Sequence, residues 1–229
     1  MSKKFLFVVI ITILLTASGC QTKAAFVLPE GFVYTNDVIP DALLDIRYYS
    51  AYNFVGRRID GYHAPVSIFT KEAAEALKIA SDLLAEQGYI IRIFDTYRPA
   101  DAVSHFMRWA DDPDDNRMKN IFYPEVNKEN MIVEGYVTPR SSHSRGGAVD
   151  LTILCMLTGT ELDMGSPFDF FGEVSHNGTD KITQDQLVNR LVLRSAMEEA
   201  GFEAYAYEWW HYGLINEPFP DTYFNFPVR

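Results

Sequence analysis

Apolar residues recur along this chain with two different periods, and the alternation between them predicts a mixed fold. From Thr70 to Gln87, Ala73, Leu77, Ala80 and Leu84 repeat at helical spacing on one face, with Thr70 placed to cap the helix and Gly88 to stop it. The run Tyr89 to Phe94 then reads as a buried strand and Asp95-Thr96-Tyr97-Arg98 as a turn, and Pro99 suits the first position of a helix through Ala110. Arg98 therefore falls at a strand-to-helix junction, where side chains are readily aimed into a cleft. Ala148 to Leu154 is β-rich and apolar apart from Asp150 and Thr152, the pattern of a central strand with a carboxylate on one face. An unpaired charge buried there would be costly. Thr183-Gln184-Asp185-Gln186 is a capping box that opens a helix with Leu187, Leu191 and Met197 inward, ended by Gly201. Phe202 to Tyr207 predicts a last strand that delivers Glu208 and His211. Side chains alternate along a strand, so the backbone must bend or bulge between those two if both are to face one site. No internal repeat or low-complexity linker is visible. The expected class is α+β: a single domain with a central, mostly antiparallel sheet flanked by helices.

Residues 1–20 stand outside that domain, which is expected over 26–229. Lys3 and Lys4 form a basic start, Phe5 to Leu15 is an apolar run, and Thr16-Ala17-Ser18-Gly19 places small residues before Cys20, as an export signal requires. The run is too short to span a bilayer, which takes roughly 20 apolar residues. The segment resembles a bacterial lipoprotein signal, in which the cysteine is lipidated and becomes the first residue, so Cys20 is the expected anchor and membrane contact is expected through that lipid alone. Ala17 departs from that pattern, which most often has Leu there, and leaves ordinary secretory cleavage as the alternative. Cys155 is then the only remaining thiol, which rules out an internal disulfide.

Composition adds two limits. With 229 residues, 48% of them hydrophobic and 14% aromatic, the chain can fill one core and is short for two. Losing Lys3 and Lys4 takes the formal net charge from -11 to -13, an acidic surface that argues against nucleic acid as a partner. The stretch Asp111-Asp112-Pro113-Asp114-Asp115 lacks the Gly and the terminal Glu of an EF-hand loop and reads as a solvated loop.

The candidate chemistry lies in two short clusters, Ser141-Ser142-His143-Ser144-Arg145-Gly146-Gly147-Ala148-Val149-Asp150 and Glu208-Trp209-Trp210-His211. A catalytic zinc takes three protein ligands and leaves a fourth position for water. His143, Asp150 and His211 supply that set, and Glu208 would reach the water without ligating the metal. The small residues around His143 would let a ligand approach the backbone closely. The bland alternatives are a buried hydrogen-bonded pair for His143 and Asp150, a strand-end salt bridge for Glu208, and core or cleft wall for Trp209 and Trp210. None of them explains why the clusters coincide. His63, His105 and His176 read as surface or structural. Arg98 is the candidate cation for the oxyanion that forms during amide cleavage, because a guanidinium stays protonated; the alternative is an ordinary ion pair with Asp95 or Asp101.

These clusters, with Phe94-Asp95-Thr96-Tyr97-Arg98-Pro99, Met164-Gly165-Ser166-Pro167-Phe168-Asp169-Phe170 and Tyr212 after His211, resemble the VanX-type D-alanyl-D-alanine dipeptidases from about Asp45 to the Phe-Pro-Val-Arg end. The resemblance implies a hedgehog/D,D-peptidase-like zinc fold, with one zinc per chain on His143, Asp150 and His211. It also implies the base at Glu208, the transition-state cation at Arg98 and a small dipeptide as substrate. By position, Asp169 and Tyr48 would hold the substrate ammonium, Ser141 would lie near its carboxylate, and Asp95 would orient Arg98. Two rivals remain. One is an exported D,D-carboxypeptidase or other peptidoglycan peptidase, whose relatives tend to have Pro-Trp-His where this chain has Trp-Trp-His. The other is a non-catalytic zinc wall-binding domain, which has no need of Glu208 or Arg98. Resistance-conferring dipeptidases act in the cytoplasm, so the export signal points instead to turnover of D,D-dipeptides outside the cytoplasmic membrane.

Overall fold

The computed structural model describes residues 26–229, so the export segment and Cys20 lie outside the described residues. The strands in chain order are β1 (Phe32–Tyr34), β2 (Leu43–Leu44), β3 (Ile68–Thr70), β4 (Tyr89–Asp95), β5 (Ala148–Cys155), β6 (Phe202–Ala204) and β7 (His211–Leu214). The helices are α1 (Thr35–Val38), α2 (Lys71–Glu86), α3 (Ala100–Ala110), α4 (Lys119–Phe122) and α5 (Gln184–Glu199). Five strands form the central sheet in the order β2-β4-β5-β7-β6, while β1 and β3 pair in a separate antiparallel ribbon. Within the central sheet only β2 and β4 run parallel, as a mostly antiparallel architecture predicts.

The apolar face of α2 is buried at Ala73, Leu77, Ala80 and Leu84 and packs on β4 and α5. Gly88 follows with φ +84°, the left-handed turn that a residue with a Cβ resists. Thr70 sits at the N-cap of α2 without capping it by its side chain, because its hydroxyl donates to the Gly146 carbonyl at 2.9 Å. That bond ties the start of α2 to the segment carrying His143. Pro99 lies at the N-cap of α3, one position before the first helical residue.

The capping box at Thr183 and Gln186 forms with both of its bonds. The buried stripe of α5, however, runs through Arg190, Leu193 and Met197, while Leu191 is exposed and Leu187 only half-buried. The inward position beside the sheet is taken by a guanidinium, and Leu191 is turned one helical step away from it.

Central strand β5 is buried on both faces up to its last residue. A bulge at Phe94 shifts the β4–β5 register, so that Ile93 lies opposite Leu151 but Asp95 lies opposite Asp150. Without the extra residue, Asp95 would point to the other side of the sheet. The last predicted strand is shorter than expected: β6 stops at Ala204, a turn follows over 205–210, and His211 opens β7. Trp209 and Trp210 pull that turn into the core, each 1% exposed, and Tyr205 closes it by donating its N–H to the His211 carbonyl at 3.0 Å.

Candidate active site

Asp150 and His211 are direct partners across β5 and β7, and His143 sits on a short 3-10 turn, Ser142–Arg145, that leads into β5. His143 Nε2 lies 3.1 Å from His211 Nδ1 and 3.3 Å from Asp150 Oδ2, and His211 Nδ1 lies 3.0 Å from Asp150 Oδ1. Among the described residues this is the group whose donor atoms converge, all within 4.8 Å of one another. The outer contacts choose which atoms face the centre. His143 Nδ1 donates to the Thr96 carbonyl at 2.6 Å, which leaves Nε2 as the lone-pair donor, and His211 Nε2 lies 3.4 Å from Ser142 Oγ, which leaves Nδ1 inward. Burial keeps His143 below its ordinary value and so neutral, the form that ligates. Burial alone would raise Asp150, but the two imidazoles hold its carboxyl well below the usual carboxylate range. Two imidazoles and one ionised carboxylate converging from three segments fit a divalent cation of the zinc type.

The glycines beside His143 have a different duty from the one expected. A Cβ on Gly146, whose φ is +75°, would run into the Phe32 ring and Thr70, and one on Gly147 would meet Glu217. Packing of the turn requires them.

Arg98 donates from Nε to Asp95 Oδ2 at 2.8 Å and lies 3.3 Å from Asp150 Oδ2, with its guanidinium over the Tyr48 ring at 4.9 Å. Arg98 therefore makes the ion pair with Asp95 that was the alternative reading and also stands beside the triad. Asp95 is itself fixed by the Tyr62 hydroxyl at 2.6 Å. Glu208 stands in the turn before β7, 3.7 Å from His211 Nδ1, and the bend expected between Glu208 and His211 is that turn. Burial pushes the Glu208 carboxyl up to about 7, with Asp150 adding to the rise and His211 and Arg98 opposing it.

One cleft of about 250 Å³ is lined by the triad, Glu208, Arg98, Tyr48, Asp169 and Ser141, together with Trp210 and the wall Gly135–Thr138. Asp169 adopts φ +62°, a left-handed conformation that Asp tolerates better than most residues, and is 5% exposed. Its Oδ1 accepts from the Tyr48 hydroxyl at 3.1 Å, whereas Oδ2 is buried without a partner. Burial pushes this carboxyl well above its ordinary range, with Asp150 adding to the effect. Such a group gains most from a cation placed beside it. Ser141 lines the cleft and also accepts from the His143 N–H at 3.3 Å, capping the turn that carries the ligand.

His63, His105 and His176 all lie away from the triad. His63 is exposed, His105 accepts from the Asp60 N–H, and His176 stacks edge-on with Tyr207. Three contributors escaped the sequence reading. Tyr62 and the Thr96 carbonyl act at second hand, Tyr62 from a segment with no local motif and Thr96 through its backbone oxygen, and Gly135–Thr138 contributes as a wall. Ser142 was visible only as a neighbour of His143.

The chain is 45% identical over 199 residues to a D-alanyl-D-alanine dipeptidase of Enterococcus faecium, covering 87% of this chain and 98% of the relative. It is 43% identical over 201 residues to one of Enterococcus faecalis, covering 88% and 100%. It is 39% identical over 197 residues to one of Streptomyces coelicolor, covering 86% and 98%. Residues 29–229 match the M15 peptidase family described as D-ala-D-ala dipeptidase, and the chain belongs to that family.

Proposed function

We propose that this protein is a zinc-dependent dipeptidase that hydrolyses D-alanyl-D-alanine, or a closely related D,D-dipeptide, to free amino acids. The observation that carries the reading is the unpartnered Asp169 Oδ2, buried in the same cleft as the converging His143, Asp150 and His211. A free dipeptide is a zwitterion, so a cleft that accepts it needs an anionic end beside the cleavage centre. A zinc ion held by His143, Asp150 and His211 would supply Lewis acidity for the scissile carbonyl and a water of lowered pKa. Glu208, 3.7 Å from His211 Nδ1 in the same cleft, is placed to accept a proton from the attacking water and to return it to the departing amine. Arg98, oriented by Asp95, meets the developing oxyanion, and fixed donors of this kind contribute about 3 to 4 kcal/mol. Asp169 and Tyr48 receive the substrate ammonium, and Ser141 lies toward its carboxylate.

The segment from Lys3 to Cys20 supports export and lipid anchoring at Cys20, with the enzyme recovering or trimming dipeptides outside the cytoplasmic membrane. Fractionation that found only the unprocessed chain in the cytosol would overturn that placement. The activity is tested by hydrolysis of D-Ala-D-Ala, L-Ala-L-Ala and a pentapeptide ending in D-Ala-D-Ala, with and without a chelator. Chelator-sensitive cleavage of D-Ala-D-Ala ahead of the other two is expected. Faster cleavage of the pentapeptide would make the protein a carboxypeptidase, and zinc and wall-fragment binding without turnover would make it a binding domain.

A further inference from the structure

Asp169 sits on the long connection between β5 and α5, where the regular structure near it is one 3-10 turn, Glu173–Ser175. It adopts a conformation that costs energy and carries a carboxylate that resists burial. Something outside the loop must hold it. Arg190 of α5, only 4% exposed, points its guanidinium at both stems of that loop: Nε donates to the Met164 carbonyl at 2.7 Å, one terminal nitrogen to the Val174 carbonyl at 2.8 Å, and the other to the His176 carbonyl at 3.1 Å. Met164 and Val174 flank Asp169 at equal distance along the chain, one on each side. Arg190 pairs with no carboxylate among the described residues; its three acceptors are all backbone oxygens. A buried cation is costly, and burial lowers this one to about 10, so a position used merely for packing favours an apolar residue.

A second set of bonds links the same loop to the turn carrying Glu208. Trp209 Nε1 donates to Ser166 Oγ at 3.0 Å, Ser166 Oγ lies 2.8 Å from Ser175 Oγ, and Ser175 Oγ donates to the Phe170 carbonyl at 2.6 Å. With Ser175 committed to Phe170, Ser166 must donate to Ser175, so the polarity runs one way, from the residue after Glu208 to the residue after Asp169.

We infer that Arg190 is a positioning residue that clamps the two stems of the Asp169 loop and thereby sets the enzyme's demand for a free amino terminus. This rests on the reading of Asp169 as the ammonium acceptor. A lysine keeps the charge but lacks the planar fork that reaches three carbonyls at once, so it does not substitute.

The test uses the zinc-loaded full chain, its R190K, R190M and D169N variants, and two substrates: D-Ala-D-Ala and its N-acetylated form, which has no ammonium. The parent is expected to prefer the free dipeptide, and D169N to erase the preference. R190K and R190M are expected to raise KM for the free dipeptide at least tenfold, to change kcat less than threefold, and to shrink the preference at least fivefold, with zinc content unchanged. If D169N erases the preference while R190K keeps it and merely melts earlier, Arg190 is structural only and the inference fails. If D169N itself keeps the preference, the ammonium reading fails and the inference falls with it. Should both Arg190 variants misfold, N189A decides, because Asn189 holds the Met164 stem through the Asp163 carbonyl at 2.9 Å. A smaller KM shift in the same direction supports the clamp, and an unchanged preference overturns it.

Discussion

The two ends of the cleft are built by different means. Around the triad, Asp150 of β5 is the register partner of Asp95 on β4 and of His211 on β7, so the backbone ladder of the central sheet sets those separations. On the Asp169 side of the cleft, the loop depends on side chains reaching carbonyls, with Arg190, Ser166 and Ser175 doing what a ladder does elsewhere. A ladder is cooperative and hard to shift, whereas a loop held by a few side chains can be re-aimed by one substitution. The two regions meet through the Trp209–Ser166–Ser175–Phe170 hydrogen bonds, which join the Asp169 loop to the turn carrying Glu208.

Substitution on the ladder has the largest expected effect. Asp150→Asn removes the anionic ligand of the triad; bound metal measured by elemental analysis should fall to background. Hydrolysis of every substrate should drop together by at least about 10³-fold, because Lewis-acid stabilisation contributes several kcal/mol. Unequal losses between free and acetylated dipeptide would show that the two ends are not separate. Glu208→Gln should leave metal content and KM in place while lowering kcat by about 10² to 10⁴-fold, the usual contribution of a positioned general base. A matching rise in KM would move Glu208 from chemistry to recognition.

The smallest effect sharpens the electrostatic side. In metal-free protein the Glu208 carboxyl titrates at about 7 against an ordinary 4.5. Between those values the folded state keeps a proton that the unfolded chain has released, so stability must fall as pH rises through that window. Melting followed from pH 4.5 to 7 in chelator should show a decline of a few degrees that is shallower in Glu208→Gln. Equal slopes in the two proteins would remove the burial of Glu208 as the cause.

Helical periodicity and strong turn residues made much of the fold legible. The faces of α2, the capping box of α5 and the buried run of β5 follow from residues close together in the chain, where period and capping act locally. Leu191 misled because its neighbour Arg190 takes the inward place to satisfy distant carbonyls. The early end of β6 was equally hidden, since it depends on Trp209 and Trp210 finding room in a core that only the assembled chain provides.

The chain's own letters determined which donor atoms exist for a metal, which acid stands beside them, and that helices and strands would alternate around one core. Those are matters of side-chain chemistry and short-range spacing. Tertiary structure alone decided that the bulge at Phe94 swings Asp95 toward Asp150, that Tyr62 steadies Asp95, and that Arg190 grips both stems around Asp169. Each of these joins segments far apart in the chain. Such contacts form only when packing and strand register bring the segments together, so no local pattern of residues announces them.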